Sequence, residues 1–305
     1  MGDIKRSLER ILDQGDFAVT AEIGPPKGSN PNVIRRKAEL LKGYADAFNV
    51  TDNQTAVSRL SSMAACIILQ KMGLEPILQM TCRDRNRIAL QSDVLGASAL
   101  GIRNILCLTG DHQSFGNHPS AKGVYDLDSI QLIYGLRNMR DEGRFIDGDK
   151  ILSGAPDIFI GAAANPYADP YARIYRLGKK IKAGAQFIQT QSIFSLEEFK
   201  EWMKEVRSKN FHKKVHILAG ITPLKSVKMA EHMNNDVPGP FVPTEIIARM
   251  KKARDPKKEG YTIARETIEE VKNIKGVHGI HITAVFWEEI VPILVKETGV
   301  LPRSE

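Results

Sequence analysis

Phe17-Ala-Val-Thr-Ala-Glu-Ile-Gly-Pro-Pro26 is the stretch on which the fold turns. Its first seven residues read as a strand, and Gly24-Pro25-Pro26 stops it sharply. A doubly wound dinucleotide fold would set GxGxxG directly after this first strand; none is there, and GxxxxGK[ST] occurs nowhere in the chain. Before the strand, beginning at Asp3, Ile4, Leu8, Ile11 and Leu12 fall at helical spacing, and a second helix is predicted over residues 32–42. Further strands are predicted at 47–51, 76–81, 104–108, 158–163, 186–190, 215–219 and 279–283. Helices are predicted at 59–72, 86–100, 128–141, 171–183, 196–207, 226–233 and 262–274. Strands alternating with helices imply parallel pairing through right-handed crossovers, and a count of eight favours an α/β fold of the closed (β/α)8 TIM-barrel kind. No Gly-, Ser- or Pro-rich linker divides residues 1–305, which read as a single domain with an N-terminal helix. An elaborated segment between strands seven and eight, residues 234–261, contains Pro238-Gly-Pro240 and a short helix over 243–252. Elaborations of this kind often cover the mouth of a barrel.

The composition is that of an ordinary globular chain: 305 residues, 42% apolar, 26% charged and 7% aromatic. No window holds the roughly 18 apolar residues a membrane span needs, and the mixed charges of residues 1–15 do not make a secretory leader. Arg6 breaks the myristoylation pattern. Cys66, Cys82 and Cys107 stand far apart without a CxxC pair, so neither a disulfide framework nor a zinc ribbon is expected, and a reducing cytoplasm fits best. The net charge of +7 comes from bases spread along the chain without interleaved aromatics, so nucleic acid is not an expected partner. The densest run, Lys251, Lys252, Arg254, Lys257 and Lys258, is either solvated surface or a landing patch for an anionic tail or partner. The histidines pair loosely in sequence, but no Cys or carboxylate completes a ligand spacing, and no metal site is expected.

In a barrel of this kind the chemistry sits at the C-terminal ends of the strands. That rule selects Glu22; Thr51, Asp52 and Asn53; Thr81, Cys82 and Arg83; Thr109, Gly110 and Asp111; Asn165; and Gln189 and Gln191. Glu22, between Ala21 and Ile23, should be partly desolvated, which raises a carboxyl's pKa toward the range of a general acid. A structural Glu paired with a neighbouring Arg or Lys fits the strand context equally well. Asp111 either steers a cofactor or caps its own turn.

Several motifs in order carry a resemblance over nearly the whole chain: Ala21-Glu-Ile-Gly-Pro-Pro26, Met80-Thr-Cys82, Gly101-Ile-Arg-Asn-Ile-Leu-Cys-Leu-Thr-Gly-Asp111 and Gly161-Ala-Ala-Ala-Asn-Pro166. Lys179-Lys-Ile-Lys-Ala-Gly-Ala185, Gln189-Thr-Gln191 and Ala219-Gly-Ile-Thr-Pro223 complete the set. In these the chain resembles the flavin-dependent methylenetetrahydrofolate reductases. The resemblance implies a cytoplasmic oxidoreductase of one-carbon metabolism, serving methionine biosynthesis, that binds FAD at the barrel mouth and reduces methylenetetrahydrofolate. It implies Glu22 as general acid, Asp111 near flavin and pterin, and Gln191 against folate. Thr51, Gln79, Thr109, Gly110, Ala163, Asn165, Arg173 and Lys180 fall at flavin-lining positions.

The departures bear on the details. Thr109 replaces an arginine and Gln79 a histidine; Arg173 stands where an acidic residue contacts adenine, so FMN is an alternative to FAD. Val227 replaces a stacking phenylalanine, which leaves NAD(P)H open as the electron donor. The resemblance also implies an oligomer, homomeric or with a partner subunit that carries electron-transfer centres, and no regulatory extension is expected. A folate-linked methyltransferase barrel is the remaining alternative.

Overall fold

The computed structural model describes residues 7–237 and 239–301, so Asp3, Ile4 and Pro238 lie outside the described residues. Eight strands run in sequence order: β1 (Ala18–Ile23), β2 (Ala47–Val50), β3 (Pro76–Thr81), β4 (Asn104–Leu108), β5 (Phe159–Ala164), β6 (Phe187–Ser192), β7 (His216–Ile221) and β8 (Gly279–Ile282). All pair in parallel, and β8 closes on β1 with Thr20 opposite His281. The (β/α)8 barrel expected from the alternation is the fold observed.

The helices are α1 (Leu8–Asp13), α2 (Pro31–Leu41), α3 (Ser62–Lys71), α4 (Arg87–Ala99), α5 (Ser129–Asp141), α6 (Pro170–Ala183), α7 (Leu196–Ser208), α8 (Val227–Asn235), α9 (Thr244–Lys252), α10 (Pro256–Val271) and α11 (Ile290–Glu297). Three depart from the sequence reading. The start of α3 falls three residues late because Leu60 N is drawn to Pro26 O and Arg59 N to Asn53 Oδ1, which holds that stretch extended. α10 begins six residues early: Asp255 accepts from the amides of Lys257 and Lys258, and Pro256 fits the first turn, where its missing N–H costs nothing. α11 was not predicted; Pro292 interrupts an apolar run whose face is fixed by packing rather than by charge alternation. Among the described residues no helix is long and apolar enough to cross a membrane.

Strand side chains alternate between two cores. Val19, Ala21 and Ile23 face outward to the helices, whereas Ala18, Ala47, Ile77, Leu106, Phe159, Phe187 and Leu218 fill the barrel's lower interior. Phe187 stacks on Phe159 with ring centroids 5.0 Å apart, and its ring occupies the space a Cβ on Gly161 would take, 2.2 Å away. Below them α1 plugs the barrel with Leu8, Ile11 and Leu12, all buried. The Glu75 carboxylate fastens the plug by accepting from Leu8 N at 3.0 and 3.1 Å, and Asn104 Nδ2 donates to the same carboxylate at 2.7 Å. The apolar filling ends halfway up, and what stands above it is polar.

Candidate active site

Two residues further along the interior faces of β1, β2, β6 and β8 come Thr20, Asn49, Gln189 and His281, all buried. Asn49 and Gln189 exchange amide hydrogen bonds of 2.6 and 3.0 Å. Gln189 Nε2 also donates to Thr20 Oγ1 at 3.3 Å, and that hydroxyl lies 2.9 Å from His281 Nδ1. Burial pushes the His281 imidazole down to about 4, so it is neutral, and its Nε2 sits 3.3 Å from Thr283 Oγ1. Fully connected buried networks of this kind hold one geometry, because each group that moves leaves another unsatisfied. The sequence reading named only Gln189 here and weighed His281 only as a metal ligand. Thr20 and Asn49 were legible as the same-face neighbours of Glu22 and Thr51, two residues along.

This layer floors a cleft of about 650 Å³ at the C-terminal mouth. Glu22, Thr51, Gln79, Asp111, Ala163 and Gln191 all line it. The Glu22 carboxyl makes no hydrogen bond or salt bridge among the described residues; Lys37, the cation that acts on it, is paired with Glu288 at 2.6 Å. Loss of solvent pushes the Glu22 carboxyl up to about 7, with Lys37 pulling it down and Glu288 adding a smaller upward push. The pairing alternative for this residue is therefore not what the geometry displays.

The rim is tied together around Asp111. Its Oδ2 accepts from Thr55 N at 3.2 Å, across to the loop after β2, and its carbonyl accepts from Arg83 Nη1 at 3.2 Å and Tyr125 OH at 3.0 Å. Arg83 Nη2 reaches Asn53 O at 3.1 Å, so one guanidinium spans both loops. Asn53, Thr55 and Ala56 have φ of 45°, 54° and 55°. Three left-handed non-glycine residues together cost roughly 1 kcal/mol or more each, and such strain persists where surrounding contacts over-determine the backbone. Asp52, by contrast, is committed to structure: it accepts from Thr81 N and Oγ1, each at 2.9 Å, and pairs with Arg85 at 2.7 Å.

A smaller recess of about 170 Å³ shares Ala163 and Gln191 with the cleft and adds Asn165, Arg173, Arg176 and Lys180. Lys180 Nζ donates to Ala163 O at 2.6 Å, and burial, helped by Arg176, lowers its pKa to about 8. Arg173 donates to Pro166 O at 2.7 Å and pairs with Glu205, while its Nε is buried without a partner. Gly239, at φ 112°, lies over this corner, its carbonyl accepting from Asn165 Nδ2 at 3.0 Å. Arg176 was absent from the sequence reading; one helical turn after Arg173, it was there to be found.

Of the strand-end candidates, Asp52, Asn53, Thr81, Cys82 and Arg83 line neither cavity, and neither do two of the flavin-lining positions, Thr109 and Gly110. Thr109 turns toward α5, where its hydroxyl meets Ser129 Oγ at 3.2 Å and accepts from Ser129 N at 3.3 Å. Gly110 backs onto Thr81 and Arg83 at φ 91°, where a Cβ would lie 3.1 Å from each and the left-handed backbone favours glycine. Val227 packs into the cluster of Leu224, Ala230, Val242 and Met250, and the cleft wall here is instead Met229, His232 and Met233 on α8 with Asp236 just after it. In the basic run, Arg249 pairs with Glu259 and Glu266, Lys251 with Glu231, and Lys257 lies over the Trp287 ring.

The family model for methylenetetrahydrofolate reductase matches residues 7–299. The chain belongs to that family. Among relatives, a probable methylenetetrahydrofolate reductase (NADPH) of Caenorhabditis elegans is 28% identical over 71% of this chain and 32% of its own length. A 5,10-methylenetetrahydrofolate reductase of Salmonella typhimurium is 26% identical over 75% of this chain and 71% of its own. The chain thus spans about a third of the nematode reductase's length. Among solved structures, an uncharacterized protein from Clostridium thermocellum, described as binding two copies of 5-methyl-5,6,7,8-tetrahydrofolic acid, shares the fold with a TM-score of 0.70. It is 17% identical and covers 96% of this chain and 100% of that one.

Proposed function

We propose that this chain reduces methylenetetrahydrofolate to methyltetrahydrofolate, with Glu22 as the general acid. The observation that carries the reading is an unpaired carboxyl, pushed up to about 7, in the wall of a cleft shared with Gln191 and Asp111. A group with that pKa is about half protonated at neutral pH, so it holds a proton in a large share of molecules and is still a competent donor.

The recess fits the phosphate end of a flavin: Arg173, Arg176 and Lys180 line it, no acid does, and a buried guanidinium N–H there lacks an acceptor. Thr51, Gln79, Ala163 and Asn165 would hold the rest of the cofactor, FAD or FMN. When bound, the flavin supplies hydride from N5. Glu22 gives its proton to the bridging nitrogen of the folate, so that the C–N bond breaks and the five-membered ring opens to an iminium ready for hydride. Gln191 offers the pterin an amide, and Asp111 offers it an acceptor at the rim. The Asn49–Gln189–Thr20–His281 layer keeps the floor in one arrangement.

Anaerobic visible spectroscopy tests this. Methyltetrahydrofolate should bleach the oxidised flavin band of the purified chain, and bleaching by NADH as well would make it self-sufficient. Bleaching by the folate alone would mean that electrons come from a partner subunit, a reading favoured by Val227 lying away from the cleft. Lack of bleaching by methyltetrahydrofolate in a flavin-reconstituted sample would refute the assignment.

Two further outcomes are expected. In the direction of methylenetetrahydrofolate reduction, the folate half-reaction should hold a plateau below pH about 7 and fall about tenfold per unit above it, because only protonated Glu22 is the acid. A rate that climbs through that range would contradict the role. Lys180→Met should purify with a clearly lower flavin-to-protein ratio, read from absorbance, since it removes one of the three recess cations. A ratio equal to the wild type's would remove Lys180 from the cofactor site.

A further inference from the structure

Among the described residues lining the cleft, Phe115 is the only Phe, Tyr or Trp. It is 56% exposed, although it projects from a turn fastened on both sides. His112 caps that turn, with Nδ1 2.8 Å from Ser114 Oγ and accepting from Ser114 N at 3.3 Å. Gly116 then presses so closely on the strained loop after β2 that a Cβ there would come within 1.9 Å of Ala56 O. Asp111, at the start of the same loop, is held by Thr55 N, Arg83 and Tyr125. A large apolar ring on a restrained backbone, facing an otherwise aliphatic and polar cleft, is arranged to receive another flat face.

We propose that Phe115 is a specificity-determining residue whose ring stacks on the planar heteroaromatic ring of the ligand in the cleft. The inference rests on the function proposed above, which makes that ring the pterin of folate or the nicotinamide of NAD(P)H. Met229 and Met233 on α8, three strands around the rim, supply the soft wall for the remainder of the ligand. Gly116 is a positioning residue: it allows the turn to sit low enough for Phe115 to border the cleft.

The test is calorimetric titration of the flavin-loaded protein with methyltetrahydrofolate and, separately, with NADH, comparing the wild type with Phe115→Ala and Phe115→Tyr. Because the ring is exposed, the alanine variant should unfold at the wild-type temperature. Losing one stacked face should weaken binding of the stacked ligand roughly tenfold, while the tyrosine variant should stay within about twofold. The ligand that weakens identifies the ring: the folate arm for pterin, the NADH arm for nicotinamide. Wild-type affinity for both ligands in Phe115→Ala would overturn the proposal. Equal weakening by Ala and Tyr would overturn it too, since tyrosine keeps the face. A wild-type chain that binds neither ligand would fail the functional reading itself, and this inference with it.

Discussion

Glu22→Gln is expected to slow the reduction of methylenetetrahydrofolate by about a thousandfold, the usual scale for loss of a positioned acid, while making the protein more stable at alkaline pH. The two effects share one cause. The folded carboxyl titrates near 7 against 4.5 for an ordinary glutamate, because the cleft wall strips it of solvent. The native state therefore binds this proton more tightly than the unfolded chain does. Stability relative to a neutral side chain of the same shape is intact below pH about 4.5 and lost as pH rises through about 7. Above that the difference should reach roughly 3 kcal/mol at most. Urea midpoints of the two proteins should coincide at pH 4.5 and separate by pH 8, with the glutamine variant the more stable. Rapid-mixing measurement of flavin reoxidation by methylenetetrahydrofolate gives the rate. Midpoints that keep a constant separation across pH would mean that Glu22 is not desolvated. An undiminished rate would remove it from catalysis.

Phe187→Ala is expected to cost about 3–5 kcal/mol of stability. The ring is fully buried, stacked on Phe159, and fills the space left by Gly161 across the strand pair. It shares the lower-interior cluster with Phe159, Leu218 and the α1 plug, all buried and close-packed, so the void is not readily refilled. Guanidinium denaturation of the flavin-loaded protein would read the loss as a shift in midpoint at unchanged slope. A loss under about 1.5 kcal/mol would mean that the lower interior repacks freely, contrary to the stacked geometry. Folate affinity should change little, because the polar layer of Asn49, Gln189, Thr20 and His281 separates this ring from the cleft.

The two variants probe the two halves of one interior. Every strand contributes alternate residues to it. In β6, Phe187 belongs to the apolar filling, Gln189 to the polar layer and Gln191 to the cleft. A one-residue slip of register would carry all three to the helix-facing side, so the pairing that closes the barrel is also what aims the site.

Much of this was legible in the sequence because it is local. Period-two strands, period-3.6 helices and hard stops such as Gly24-Pro25-Pro26 act within a few residues, and they determined eight strand–helix units, the barrel and the strand ends where Glu22, Thr51, Asp111 and Gln191 lie. Where local cues conflicted, the reading slipped: the Pro292-interrupted run of α11 and the early, Asp255-capped start of α10 depended on packing and capping that periodicity does not report. Three-dimensional closure decided the rest. Only the closed barrel brings Thr20, Asn49, Gln189 and His281 together from positions up to 261 residues apart. Only loop packing turns Thr109 away toward Ser129 and sets Phe115 at the rim. The pKa of Glu22 belongs to this second class as well, because desolvation is a property of the whole surround. The sequence by itself determined which residues stand at the barrel mouth; the tertiary structure decided which of them face one another, since facing depends on closure, register and loop contacts between segments distant in the chain.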